Sequence, residues 1–218
     1  MKAFSYRLFK IALLMLMVTA CATVPQYKPL NLQSGAVCPD IFPSKAFRTV
    51  HQIELNSALI GKSILIGAAK VEPGRDALHT VLMSVEGMVL FEAECEGADL
   101  RVISAFPPLN DPAFAKGLMA DVLFVLLKPA GLPAEQGIDE QGLTACRWPT
   151  QAGSVLETAS MPDGAVRMRL YDGDKRTMKE AVASPPFTRG VPAKIKLKAF
   201  GPANYTIDLT LIEMEFID

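Results

Sequence analysis

The chain has 218 residues, of which 50% are hydrophobic and 21% are charged. This length and composition are typical of one globular domain with a sizeable core, and they exclude a disordered or repetitive chain. Lys and Arg number 22 against 23 Asp and Glu, so the chain has no basic excess to neutralise a phosphate backbone. Nucleic acid is therefore not expected as a partner.

The N-terminal segment has the pattern of a secretory signal. Lys2, Arg7 and Lys10 precede an apolar run over residues 11–20, and no acidic residue lies among them. A run of this length is too short to span about 30 Å of hydrocarbon as a helix. We therefore expect residues 1–20 to be a signal peptide.

The end of this run indicates the kind of signal. Val18-Thr19-Ala20-Cys21 matches the bacterial lipobox, in which the cysteine thiol is joined to diacylglycerol. The alternative is an ordinary signal peptide that happens to precede a cysteine. Ala22, not Asp, follows Cys21, which is similar to the enterobacterial sorting pattern for the outer membrane. The sequence thus predicts a lipid anchor at Cys21 that holds the protein on the periplasmic face of the outer membrane of a bacterial cell envelope.

Residues 21–45 contain four prolines and little periodicity, which predicts a lipidated, extended tether before a single domain over residues 46–218. Within the domain, short apolar segments bounded by Gly, Pro or Asp predict strands. Tight turns of the type Glu-Gly and Pro-Gly separate the first of them, so neighbouring strands are expected to pair antiparallel. These first strands cover residues 49–58, 62–71, 77–84, 88–95 and 99–105.

Two more hairpins are expected towards the C terminus, after a loop over residues 129–142. The dipeptide Asp163-Gly164 is a strong hairpin signal between residues 154–160 and 165–171. Residues 194–200 alternate charged and apolar side chains, and a Gly-Pro turn leads from them into residues 205–217. The apolar side chains expected on one face of this last hairpin are Ile195, Leu197, Ile207, Leu209 and Leu211.

One segment between these groups of strands has the period of a helix. Asn110 or Asp111 is placed to cap it, Pro112 lies in its first turn, and apolar residues then recur at intervals of three and four. Only Lys116 and Asp121 are charged in the helical part, so most of the circumference is apolar. A helix of this kind is expected to lie over the sheet.

Three cysteines follow Cys21, namely Cys38, Cys95 and Cys146. An oxidising compartment permits one disulfide and leaves one thiol. Cys95 lies in a predicted strand, where it suits a small core position, whereas Cys38 and Cys146 lie in segments flanked by proline. This favours a Cys38–Cys146 disulfide, although the sequence alone does not decide the pairing.

The sequence offers few groups arranged for catalysis. His51 and His79 lie in strand-like contexts, and neither has a Cys, a His or a carboxylate at a known metal-ligand spacing. We expect structural roles for both histidines, and no metal site, cofactor or catalytic residue.

Two features leave alternatives open. Glu92, Glu94 and Glu96 alternate along one predicted strand and so share a face. Paired carboxylates can serve as general acid and base, but a solvated strand face gives the same pattern. Trp148, beside Cys146, fits a ligand site or, more simply, a core position.

The order of these features resembles the LolA/LolB group of periplasmic lipoprotein carriers and the related LolB-like lipoproteins. The matching features are the lipobox, the early strands divided by Glu-Gly turns, the passage from Ala105 to Leu127, and the closing hairpins from Ser154 to Ile217. The resemblance is one of pattern and order and covers most of the chain.

The resemblance implies an α+β fold, an incomplete antiparallel β-barrel with a lid of one or more helices over its concave face. Members of the group bind acyl chains, and the anchored type accepts lipoproteins from a soluble periplasmic carrier protein. The cavity would be lined by inward-facing positions of strands and of the helix. The predicted lining residues are Leu65, Leu82, Val89, Phe91, Val102, Phe114, Leu118, Val122 and Leu126.

Three functions stay open at this point. The first is binding and carriage of lipids or lipoproteins in an apolar cavity. The second is a non-enzymatic accessory or structural role in an envelope assembly, with a filled core in place of the cavity. The third is a periplasmic hydrolase that uses carboxylates such as Glu92 or Glu94.

Overall fold

A computed structural model gives the fold of the chain. The predicted signal peptide and Cys21 lie outside the residues that it describes, which are 25, 27–33, 35, 37–41, 43–57, 61–127, 131–150, 153–201 and 204–217. Within these ranges, no helix has the length and apolarity that crossing a membrane requires.

In the described part of the chain, thirteen strands form one large, curved antiparallel sheet. A 15-residue helix, α1 (Pro112–Leu126), lies between the sixth and seventh strands in sequence. The strands are β1 (Asn31–Leu32), β2 (Phe47–Ser57), β3 (Gly61–Glu72), β4 (Ala77–Ser84), β5 (Val89–Glu96), β6 (Asp99–Ala105), β7 (Glu135–Ile138), β8 (Thr144–Pro149), β9 (Val155–Ser160), β10 (Val166–Tyr171), β11 (Thr177–Thr188), β12 (Val191–Ala199) and β13 (Tyr205–Phe216).

The sheet consists of two meanders joined in the middle. Strands β2 to β6 pair in sequence order, and so do β7 to β13. Their junction is the pairing of β13 with β2, which runs from Tyr205 opposite Ser57 to Phe216 opposite Phe47. The outermost strands are β1 and β6, and among the described residues they do not pair with each other. The sheet is therefore not a closed barrel.

The predicted strands of the first meander are confirmed to within two residues, and β4 and β6 have the predicted bounds. The Glu-Gly turns connect antiparallel neighbours, as does the turn that contains Asp163-Gly164. Gly87 has a φ of 88° and Gly164 a φ of 82°, the left-handed region that favours glycine. The last predicted hairpin is formed by β12 and β13, with the expected apolar side chains on the core side.

The prediction of a loop over residues 129–142 is wrong in part, because Glu135–Ile138 forms β7. Strands β8 and β11 are also additional to the predicted set. Neither β7 nor β8 alternates clearly between apolar and polar residues. In β8, four consecutive residues are buried, so both faces of the strand are covered. Period-two patterning is lost when both faces of a strand are buried.

Helix α1 begins and ends as predicted. The Asp111 side chain accepts hydrogen bonds from the backbone N–H groups of Ala113 (2.9 Å) and Phe114 (3.0 Å), and Pro112 follows it in the first turn. Leu127 has an extended backbone and ends the helix. The helix packs on one face of the sheet, which we call the inner face. The buried side chains shared by α1 and the inner face include Ala115, Met119, Leu126, Phe47, Val71, Phe91, Met168, Ile195 and Leu197.

The segment predicted to be a tether is in fact packed against the domain. Residues 31–32 form β1, which pairs with β7, and the side chains of Leu30 and Ile41 are buried. Asn31 approaches β7 so closely that a Cβ on Gly137 would overlap its carbonyl oxygen. A disulfide joins Cys38 to Cys146, the pair that the sequence favours, and Cys95 is a buried free thiol. The described part of this proline-rich segment is therefore a fixed part of the domain.

A buried ionic network on the outer face holds the first part of this segment. The guanidinium of Arg147 donates to Glu157 Oε2 from Nε (2.8 Å) and Nη2 (2.6 Å), and both side chains are at most 4% exposed. Nη2 of Arg147 also donates to the carbonyl oxygen of Lys28 (2.6 Å), and the guanidinium lies 4.0 Å from the ring centroid of Tyr27. The phenol of Tyr171 donates to Glu157 (3.3 Å). The carboxylate of Glu157 thus fixes the guanidinium of Arg147, which binds the N-terminal segment.

Replacing this carboxylate should destabilise the protein strongly. Glu157→Gln leaves the buried Arg147 with only the partly exposed Glu135 as its carboxylate partner (3.1 Å), and loss of a buried counter-ion costs about 3 kcal/mol. The measurement is the free energy of unfolding in urea. The matched control is Glu96→Gln, which removes an ion pair to the exposed Arg75 and should change stability little. Equal effects of the two substitutions would contradict the assigned role of Glu157.

Candidate functional site

The predicted ligand-lining residues on the strands fall into two groups. Leu65, Leu82 and Phe91 belong to the core that α1 covers, and Phe91 is fully buried. Val89 lies on β5 and Val102 on β6, the two strands at one edge of the sheet, and they are 36% and 41% exposed. The structure therefore places three of the five beneath the helix and two at the rim.

The predicted residues of α1 occupy the flank of the buried side of the helix. Leu118 and Val122 are half-buried and pack against the core, Leu126 is buried, and Phe114 is half-buried. The side chains that lie deepest in the first turns are Ala115 and Met119, which are 1% and 2% exposed. The small side chain of Ala115 permits close approach to the sheet. Because α1 is apolar around nearly its whole circumference, the sequence does not indicate which of its side chains point most directly at the sheet.

A polar cluster ties α1 to the inner face at one place. Asp121, the only acidic residue of the helix, forms an ion pair with Lys179 of β11, and both side chains are largely buried. The phenol of Tyr205, at the start of β13, donates to Asp121 Oδ2 (2.5 Å). Burial, and then the neighbouring carboxylate, raise the pKa of Tyr205, so the phenol stays protonated and remains a donor. We call these three residues the Asp121 cluster.

The sequence shows only part of this cluster. Asp121 stands out as one of two charges on an apolar helix, but Lys179 lies in a strand that the sequence does not predict. The partner on the other strand, Tyr205, is identified only by the pairing of β11, β12 and β13, which places Lys179, Ala199 and Tyr205 side by side.

The two histidines differ in their surroundings. His51 is 4% exposed on the inner face, and burial lowers its pKa to about 4, so its imidazole is neutral at neutral pH. His79 is partly exposed on the opposite face, where its Nε2 lies 3.0 Å from Glu92 Oε1. Nowhere in the described ranges do three or more His, Cys, Asp or Glu residues converge in a group that could hold a metal ion.

The row of glutamates lies away from the inner face. Glu92 contacts His79, Glu94 accepts from Nε of Arg101 (2.8 Å), and Glu96 pairs with Arg75. A groove of about 710 Å³ lies beside Glu94 and Glu96, lined by these ion pairs and by Leu78, Cys95 and Leu100. Each carboxylate already has a basic partner, which is the arrangement of a solvated strand face. Trp148 is 4% exposed and occupies a core position.

Comparison with known proteins identifies a likeness of fold. No protein-family model matches the sequence, and no curated protein matches it. The structure is similar to the crystal structure of a LolA-superfamily protein from Nitrosomonas europaea, with a TM-score of 0.53 over 81% of this chain and 88% of that one. The two share a fold. Their sequences are 10% identical, so the likeness is one of fold and does not extend to particular site residues.

The Asp121 cluster should control how firmly α1 is held. Asp121→Asn leaves the largely buried Lys179 without its counter-ion, which we expect to cost about 2 kcal/mol. The measurement is hydrogen exchange of the α1 backbone amides, which should become faster than in the parent protein. Asp208→Asn is the matched control, because it breaks an exposed ion pair with Lys196. Unchanged exchange in α1 of the Asp121 variant would show that the cluster does not hold the helix.

Proposed function

We propose that this chain is a LolB-like, lipid-anchored envelope protein that binds acyl chains on the inner face of its sheet, with α1 as a lid. The observation that carries the proposal is the contact of one apolar helix with an apolar inner face, tied by a single polar cluster in the described part of the chain. A LolA-superfamily protein has a similar fold, which supports a carrier fold.

The energetics of exchange support this function. Contact between α1 and the sheet is apolar and non-directional, and an acyl chain would cover the same surface. Burial of an acyl chain contributes about 0.8 kcal/mol per methylene. Ten buried methylenes would therefore offset the loss of about 8 kcal/mol of apolar contact between α1 and the sheet. In this account the described packing is the closed state, and ligand entry moves α1 away from the inner face.

The lipobox supports an anchored, transferring role for this chain over that of a soluble carrier. With Cys21 acylated, the domain stays beside the periplasmic face of the outer membrane. We propose that it accepts lipids or lipoproteins there, from a periplasmic carrier protein, and releases them into the membrane. Release requires only a bilayer that buries the acyl chain as well as the protein does. No catalysis is needed, and we propose a non-enzymatic function.

The alternative is an accessory or structural lipoprotein with a filled core. The observation that favours it is the tight burial of Met119 and Phe124 of α1, which are 2% and 6% exposed. In that case α1 would be a permanent part of the core and would not exchange with a ligand. Ligand binding separates the two proposals.

The test is binding of the neutral fluorescent probe 1-N-phenylnaphthylamine to the purified mature chain, residues 21–218, carrying Cys21→Ala, which lacks both the signal peptide and acyl chains of its own. We expect saturable binding that palmitate displaces. Leu118→Glu places a carboxylate beside the buried side of α1 and should weaken probe binding more than tenfold, because an unpaired charge is costly in an apolar site.

Ala120→Glu is the matched control, since it adds the same charge to an exposed position of the same helix and should leave binding unchanged. Circular dichroism of both variants establishes that they fold. Absence of probe binding to the parent chain would contradict the carrier proposal and favour the filled-core alternative.

A further inference from the structure

Two polar side chains of β2 each present a hydrogen-bonding atom without a partner to the apolar core. Thr49 is fully buried and His51 is 4% exposed, and they lie two residues apart on the inner side of one strand. Neither Oγ1 of Thr49 nor Nε2 of His51 has a hydrogen-bond partner among the described residues. Side chains at this spacing project from the same face of a strand about 7 Å apart.

A buried polar atom without a partner destabilises the folded state. Among the described residues Trp148 Nε1 and Thr158 Oγ1 are further examples, but Thr49 and His51 lie next to each other on one face of one strand. A threonine two strands away, in the same row of the sheet, shows how a buried hydroxyl is ordinarily hydrogen-bonded. Thr80, on β4, is also buried, and its hydroxyl donates to the carbonyl oxygen of Ala68 (3.2 Å). Thr49 and His51 thus retain polar atoms whose hydrogen-bonding capacity is not used in the closed core.

The surroundings of the pair are small or apolar, and uncharged. On β3, Ala69 is opposite Thr49 and Gly67 is opposite His51. On β13 the corresponding residues are Met214 and Leu211. The imidazole of His51 is itself neutral at neutral pH. A bound carboxylate would meet no cation here, whereas a neutral ester or hydroxyl group would find a donor and an acceptor.

The cationic group of the inner face lies elsewhere. Lys179 is paired with Asp121 near Tyr205, and Tyr205 is opposite Ser57, six residues along β2 from His51. Six residues of strand span about 20 Å. A ligand whose polar group contacts Thr49 and His51 can therefore extend its acyl chain along the inner face towards the Asp121 cluster.

We propose that Thr49 and His51 bind the glycerol ester group of an acylated ligand, whose acyl chain lies on the inner face beneath α1. The inference rests on the proposed acyl-binding function and names its ligand class, a neutral glycerol ester in preference to a free fatty acid. The same ester chemistry occurs in monoacylglycerols and in the diacylglyceryl cysteine of lipoproteins.

The experiment uses displacement of 1-N-phenylnaphthylamine from the mature Cys21→Ala chain, residues 21–218, by monoolein and by oleate, which share one acyl chain. Monoolein should displace the probe at a lower concentration than oleate. Thr49→Val should weaken the apparent affinity for monoolein about fivefold, the effect of one hydrogen bond, and leave the affinities for the probe and for oleate unchanged. His51→Phe should act in the same direction.

Thr80→Val is the matched control, because it removes a hydroxyl that is already hydrogen-bonded within the protein. It should lower the melting temperature and leave the preference for monoolein intact, whereas Thr49→Val should not lower the melting temperature. This opposite behaviour separates a ligand-binding hydroxyl from a structural one, and it holds even if His51→Phe folds poorly.

The outcomes distinguish this inference from the function on which it rests. Probe and oleate binding with no preference for monoolein, or a preference that survives Thr49→Val, would overturn the ester site and leave the carrier function standing. No binding of any of the three compounds would contradict both. A synthetic peptide that carries dipalmitoylglyceryl cysteine is tested beside monoolein, and stronger displacement by the peptide would identify a lipoprotein as the source of the ester.

Discussion

Contact between α1 and the inner face of the sheet is the interaction on which the rest of the structure depends. The sheet is large, curved and open, so its apolar side needs a cover, and a helix of 15 residues supplies much of it. Apolar contact has no directional requirement and can be exchanged for contact with another apolar surface. The same property lets the helix complete the core, and we propose that it lets an acyl chain take the place of the helix.

The first part of the N-terminal segment, around Lys28, covers the other side of the sheet by different chemistry, whereas Ile41 further along packs into the core on the inner face. Arg147 joins Glu157 of the sheet to the backbone of Lys28, and a disulfide joins Cys38 to the same strand. Buried, charge-assisted hydrogen bonds are directional and costly to break, so this cover is fixed. This part of the N-terminal segment is thus a permanent cover, and it leads towards the predicted lipid anchor.

Much of the fold follows from the sequence because its signals are local. The turns with Gly87, Gly97 and Gly164 need only glycine in the right place, and the cap of α1 needs only Asp111 before Pro112. Strands β7, β8 and β11 are harder, because burial on both faces or contact with the N-terminal segment removes the alternation that identifies a strand. The pairing of β13 with β2 depends on the whole sheet and has no local signal.

The site is less predictable than the fold because its residues come together from distant parts of the chain and have no local signal. Leu65, Leu82 and Phe91 are recognisable as inward positions of regular strands. The partners of Asp121 come from two strands far apart in sequence, and the isolation of Thr49 and His51 is a property of what surrounds them in space. Neither a hydrogen bond between distant strands nor the absence of one can be predicted from any single segment of the chain.

The central claim is that the inner face holds an acyl chain in place of α1. Its most direct test is native mass spectrometry of the mature Cys21→Ala chain, residues 21–218, purified from a cell envelope, followed by lipid extraction. The account predicts a population heavier than the bare chain by the mass of an acylated lipid, recovered on extraction. A single mass equal to that of the chain, with no lipid extracted, would contradict it and make α1 a permanent part of a filled core.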